Sequence, residues 1–177
     1  MKIIAHRIIF ALLLLQVYAC NNGTSSLAFS VDFNAVNIVN TPRVYLQKGA
    51  VDANTININI VIEGITSLYG ADIRLNYDPE VVKWGGTYEA GTVLETSGTV
   101  SYLVDLLNNK EGTIYAVASL QGEAAPVSLD GVVITIPMKV VSAGESIVSL
   151  EGSKLYDNNL LQLTVNSWDG GTITSSN

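Results

Sequence analysis

The side chains that carry most enzyme chemistry are scarce in this sequence and poorly placed. Among 177 residues there is one histidine, His6, and one cysteine, Cys20, both within the first twenty. The chain beyond residue 20 therefore has no imidazole and no thiol. That excludes Cys/His zinc sites, a disulfide framework and any nucleophile activated by histidine. Carboxylates remain, sixteen of them. With so many, some pair falls within the separation glycoside hydrolysis needs whatever the function. None sits in a motif that would bury it, raise its pKa and aim it at a substrate. The reading is a chain that is not an enzyme and holds no metal or cofactor of its own. The remaining chemistry is recognition. Asp72, Arg74 and Asn76 stand at alternate positions of one predicted strand, a row about 13 Å long at roughly 3.3 Å per residue. They form either a solvated outer face or a line of polar contacts to a partner, in which the planar Arg74 guanidinium would pair with a carboxylate or with helix C-terminal carbonyls. Trp84 and Trp168 offer sugar-stacking platforms or, alternatively, lids over the end of a core. Asp78 before Pro79 is expected to bond its own backbone and shape a turn.

The elements that position these residues are strands. From Thr55 to Glu63, Ile56, Ile58, Ile60 and Ile62 alternate with Asn57 and Asn59, a period of two. The run from Leu68 to Tyr77 puts Ala71, Ile73, Leu75 and Tyr77 on the face opposite the polar row. Further runs span 100–107, 113–120, 132–141, 147–150, 161–165 and 172–174. Turn signals separate them, among them Asp78-Pro79, Asn108-Asn109, Asp130-Gly131 and Asp157-Asn158-Asn159. Many short strands at this spacing predict an all-β antiparallel sandwich with little or no helix. Ile56, Ile58, Ile60, Ile62, Ile73, Leu75, Ile134 and Ile136 are its predicted core. Pro137 lacks an N–H, which puts the 132–141 strand at an edge or a bulge. Composition agrees with one globular domain, 48% hydrophobic and 14% charged. A net charge of −7 leaves no basic surface for nucleic acid.

The N-terminus reads as an address. Lys2 and Arg7 precede eight apolar residues, Ile8 to Leu15, too few for a membrane span of roughly 20. Val17-Tyr18-Ala19-Cys20 resembles the lipobox of bacterial lipoproteins, with Tyr18 bulkier than that pattern usually carries. The resemblance implies a signal peptide over 1–19 and a lipidated Cys20. The protein would then be exported and held to a membrane through acyl chains alone, with the outer membrane or cell surface favoured because Asn21 rather than Asp follows the cysteine. Cleavage leaves 158 residues with 7 basic against 16 acidic side chains, a net charge of −9. Residues 20–42 would be a tether. Within it Leu27, Phe29, Val31 and Phe33 alternate with small and polar residues, as either an extra strand or a linker. The sandwich is expected over 43–177.

Tyr69 to Val82, reading Tyr-Gly-Ala-Asp-Ile-Arg-Leu-Asn-Tyr-Asp-Pro-Glu-Val-Val, resembles the third-strand signature of cohesin domains. Segments 51–63, 112–118, 130–140 and 169–174 resemble the rest of that family in order. This implies a nine-stranded jelly-roll sandwich, related to carbohydrate-binding modules, that is non-catalytic and docks a dockerin-like module through one sheet face. Any calcium would belong to the partner. It further implies partner-binding roles for Asp72, Arg74, Asn76, Gln121 and Glu123, the last two in the turn after the 113–120 strand. The alternatives are a carbohydrate-binding lipoprotein, with polysaccharide as ligand, or a structural component of an envelope or secretion assembly.

Overall fold

Alternating isoleucines bury one face of a strand and leave the other to its neighbours. In the computed structural model, which describes residues 29–177, Ile56, Ile58, Ile60 and Ile62 are wholly buried while Asn57 and Asn59 are half-buried. The signal, Cys20 and the start of the tether lie outside the described residues.

Thirteen strand segments follow one another: β1 Ser30–Ala35, β2 Arg43–Asp52, β3 Thr55–Glu63, β4 Gly70–Asn76, β5 Val82–Trp84, β6 Glu89–Ala90, β7 Val100–Leu106, β8 Thr113–Leu120, β9 Gly131–Val140, β10 Gly144–Val148, β11 Lys154–Tyr156, β12 Ser167–Asp169 and β13 Gly171–Ser176. One four-residue helix, Thr92–Glu95, lies between β6 and β7. Four of the strands are only two or three residues long. One sheet has the order β12-β2-β3-β9-β5, with β6 also on β9. A second is β11-β4-β8-β7, and a third is β1-β13-β10. All pairings are antiparallel except the short β12–β2 contact. Facing residues of the sheets meet in one core, Ile56 to Ile62, Ile134 and Ile136 from the first sheet against Ile73, Leu75, Ile114 and Leu155 from the second. All eight predicted core residues lie within it.

Three details differ from or complete the sequence reading. Of the 27–33 alternation, the described part enters a strand over Ser30–Ala35, paired to β13, and Phe33 joins the core. The 161–165 run does not form a strand: after the tight turn at Asp157 it meets β11 in an isolated bridge, Tyr156 with Gln162, and a Leu163 N–H to Leu155 carbonyl bond of 2.8 Å, and goes no further. β9 is interior, between β3 and β5/β6, and its register shift falls opposite Ile60/Val61 rather than at Pro137. Pro137 is accommodated because its carbonyl, and hence its missing N–H, faces the interruption between β5 and β6, where Gly85 N–H reaches that carbonyl at 3.5 Å.

Candidate docking face

The outer face of the β11-β4-β8-β7 sheet collects the residues singled out for recognition. Its composition follows from register. Asp72 lies between Lys154 of β11 and Val117 of β8, and Val117 in turn faces Leu103 of β7. Arg74 lies beside Tyr115, and Tyr115 beside Asp105. Gly70 pairs with Tyr156 and with Ser119. The face is therefore polar along β4 and mixed aromatic and aliphatic across β8 and β7, with Leu103 60% exposed.

Asp72, Arg74 and Asn76 share this face, but each is half-buried rather than freely solvated. The turn before β11 explains this for Arg74. Ser153 Oγ accepts the Arg74 backbone N–H at 2.8 Å, and Gly152, at φ +83°, lies so close that a Cβ there would come within 3.2 Å of Arg74 Cδ. Two buried polar atoms on the row, Asp72 Oδ1 and Arg74 Nε, have no hydrogen-bond partner. Asn76 is engaged within the chain. Its amide donates to Ser149 Oγ at 3.4 Å and to the Glu151 carbonyl at 3.3 Å, and accepts from Thr113 Oγ1 at 2.9 Å. Gln121 and Glu123 are exposed in the turn that leaves β8, at the Ser119 end of the same sheet. Gln121 donates to Ser101 Oγ, and Tyr69 Oη donates to the intervening Gly122 carbonyl at 2.6 Å.

A cavity of about 270 Å³ opens beside Asp72, lined by Tyr69, Tyr115, Tyr156, Asp157 and Leu160 among others. Burial, and next the Asp72 carboxylate, push the Tyr115 hydroxyl above its ordinary pKa. Asp157 is held below the usual carboxylate range, chiefly by the Leu161 N–H it accepts. Among the described residues no cluster of three or more His, Cys, Asp or Glu could hold a metal ion.

Two tryptophans and one aspartate lie away from this face. Trp84 and Trp168 pack half-buried against the core, and Trp84 Nε1 donates to the Thr87 carbonyl at 2.7 Å. Asp78 accepts the Glu80 N–H at 2.9 Å, the local turn its place before Pro79 predicts. Sequence reasoning did not reach Tyr115, Val117, Leu103, Tyr156 or Leu160. The outward positions of the 113–120 alternation held the signal for the first two, once that strand is placed beside the Asp72 row.

The family model for the cohesin domain matches residues 46–174. No curated protein sequence matches the chain. Among solved structures, a type II cohesin domain from the cellulosome of Acetivibrio cellulolyticus aligns with TM-score 0.58 at 21% identity, covering 73% of this chain and 92% of that one. The chain is similar also to the structure of a type I cohesin–dockerin complex from Clostridium thermocellum, at 24% identity with TM-score 0.53 and coverage of 73% and 96%. A non-cellulosomal cohesin from the archaeon Archaeoglobus fulgidus gives TM-score 0.53 at 16% identity, covering 73% and 88%. At these identities the likeness shows the fold.

Proposed function

This chain belongs to the cohesin family, and from that premise we propose that it is a non-catalytic docking module whose outer β11-β4-β8-β7 face binds a dockerin-like partner. The observation that carries the choice of face is its makeup, the Asp72, Arg74 and Asn76 row set beside Val117 and the 60% exposed Leu103, with a cavity opening at Tyr115 and Tyr156. Solved cohesins in complex with dockerins support the partner class. Any calcium in the assembly belongs to the partner. The packing of both tryptophans against the core favours protein docking over sugar stacking.

The test is binding of calcium-loaded dockerin modules to the full chain. Leu103→Arg with Val117→Arg should weaken it by more than about tenfold, while Gln47→Arg on the other sheet leaves it unchanged. Equal binding by both variants would move the site off this face.

We propose further that the module is exported and anchored to a membrane by lipid on Cys20. From Cys20 to the first residue of β1, Ser30, ten residue steps reach at most about 35 Å, so the module would work close to the bilayer. Replacing Cys20 by Ser should move the protein from the membrane fraction to the soluble one. A wild-type protein recovered soluble with a free thiol would contradict the anchor.

A further inference from the structure

β7 is the outermost strand of the β11-β4-β8-β7 sheet, and among the described residues no strand lies beyond it. One bond fixes which way its backbone groups point. Gln121 N–H donates to the Thr99 carbonyl at 3.0 Å, so by alternation residues 101, 103 and 105 turn their backbone groups toward β8, while Val100, Tyr102, Val104 and Leu106 turn theirs to the open edge. The Leu106 N–H is met by Asp105 Oδ1 at 2.7 Å. The side chains of these same four residues pack against the core yet stay only half-buried, as they must with no neighbouring strand to cover them.

Open edges recruit other chains unless they are short, charged or bulged. The other edges here follow that rule. β5 and β11 have three residues each and carry Lys83 and Lys154, and β12 has three. β1 carries Asp32, paired with Lys48, and β10 carries an exposed Glu145. β7 does not. It runs seven residues, Val-Ser-Tyr-Leu-Val-Asp-Leu, with no lysine, proline or register shift, and the carboxylate of its one acid is turned onto its own backbone.

Read antiparallel against itself, this strand is self-complementary. A two-fold axis at Leu103 sets Val100 opposite Leu106 and Tyr102 opposite Val104, all with outward backbone groups, so Tyr102 and Val104 of the two copies exchange N–H and C=O. On the solvent face the same axis sets Leu103 on Leu103 and Ser101 on Asp105, so that no acid meets an acid. An axis at Asp105 would oppose the two carboxylates directly, and one at Tyr102 or Val104 would leave an end of the strand unpaired. We infer that β7 is a self-association edge, to which a second copy of this chain adds its own β7 antiparallel about Leu103, joining the two four-stranded sheets into one. The pairing stands apart from the partner proposed for the outer face.

The experiment places single thiols on the full chain in a Cys20→Ser background, which removes the one native cysteine, and oxidises the purified protein mildly. A non-hydrogen-bonded antiparallel pair holds its Cα atoms about 4.5 Å apart, within the roughly 4.4–6.8 Å that a disulfide spans. Leu103→Cys should therefore be trapped as a covalent dimer, whereas Gln47→Cys, exposed on the other sheet, should stay monomeric. Ser101→Cys and Asp105→Cys should each stay monomeric alone and join when mixed, which fixes the register. All four positions are exposed, and melting curves that match the background verify the fold. Dimers of Leu103→Cys no more abundant than those of Gln47→Cys would overturn the inference and leave the edge to a strand of another sequence. Ser101→Cys or Asp105→Cys joining with itself as readily as in the mixture would overturn the register, and with it the two-fold pairing.

Discussion

Tyr77 follows β4 directly, with its ring buried and its hydroxyl donating to Glu111 Oε2 at 2.7 Å. Burial, and then the neighbouring Glu111 carboxylate, push its pKa up to about 12. An unfolded tyrosine ionises near 10, so below that pH both states keep the proton and the contribution of Tyr77 is fully present. Between pH 10 and 12 only the unfolded chain ionises, and stability falls by about 1.4 kcal/mol per pH unit for this one group. Urea unfolding midpoints measured across that window should drop, and Tyr77→Phe should show a shallower drop. Equal slopes would contradict the assignment. At neutral pH the core sets the scale, and Ile60→Ala, at a wholly buried position, should cost about 2–5 kcal/mol in the same assay. A cost below about half a kcal/mol would mean that Ile60 does not pack between the sheets.

Strand β1 depends on a glycine in its neighbour. A Cβ on Gly171 would stand 2.2 Å from Phe33 Cζ, so Gly171→Ala should drive Phe33 out of the core and loosen β1 from β13. Hydrogen exchange of residues 30–35 should rise sharply in that variant while β3 and β8 keep their protection, and unchanged exchange in β1 would refute the packing argument. The same dependence on neighbours explains what the sequence discloses. β3 and β8 have the boundaries their alternation predicts, because each carries its own buried face at period two. β5, β6, β11 and β12 were not anticipated, since two or three residues hold no period and become strands only by pairing with β9, β4 or β2. Conversely Leu161, Leu163 and Val165 alternate properly, yet they form no strand: the Asp157 turn brings the segment back to β11 for a single bridge, Tyr156 with Gln162, and Leu163 and Val165 pack partly buried against the core. The candidate site divides likewise. The Asp72 row is legible because it lies on one strand, whereas Tyr115, Leu103 and Leu160 reach it from three other segments through sheet register and a left-handed leucine.

At the scale of the whole molecule, an acidic chain folds into a sandwich whose sheets share one core, and one outer face sets the polar Asp72 row beside exposed Leu103. Asn76 and Ser153 tie that face to the loops before β11, so it is presented as a stiff surface and binding should need little backbone movement. The central claim is that this surface is where the partner sits. Hydrogen–deuterium exchange of the chain, free and saturated with a dockerin module that binds it, tests this most directly. The account predicts new protection in β4, β7, β8 and the 156–161 turn, with β2 and β3 unchanged. Protection confined to β2, β3 and β9, with the Asp72 strand exchanging as in the free chain, would contradict it.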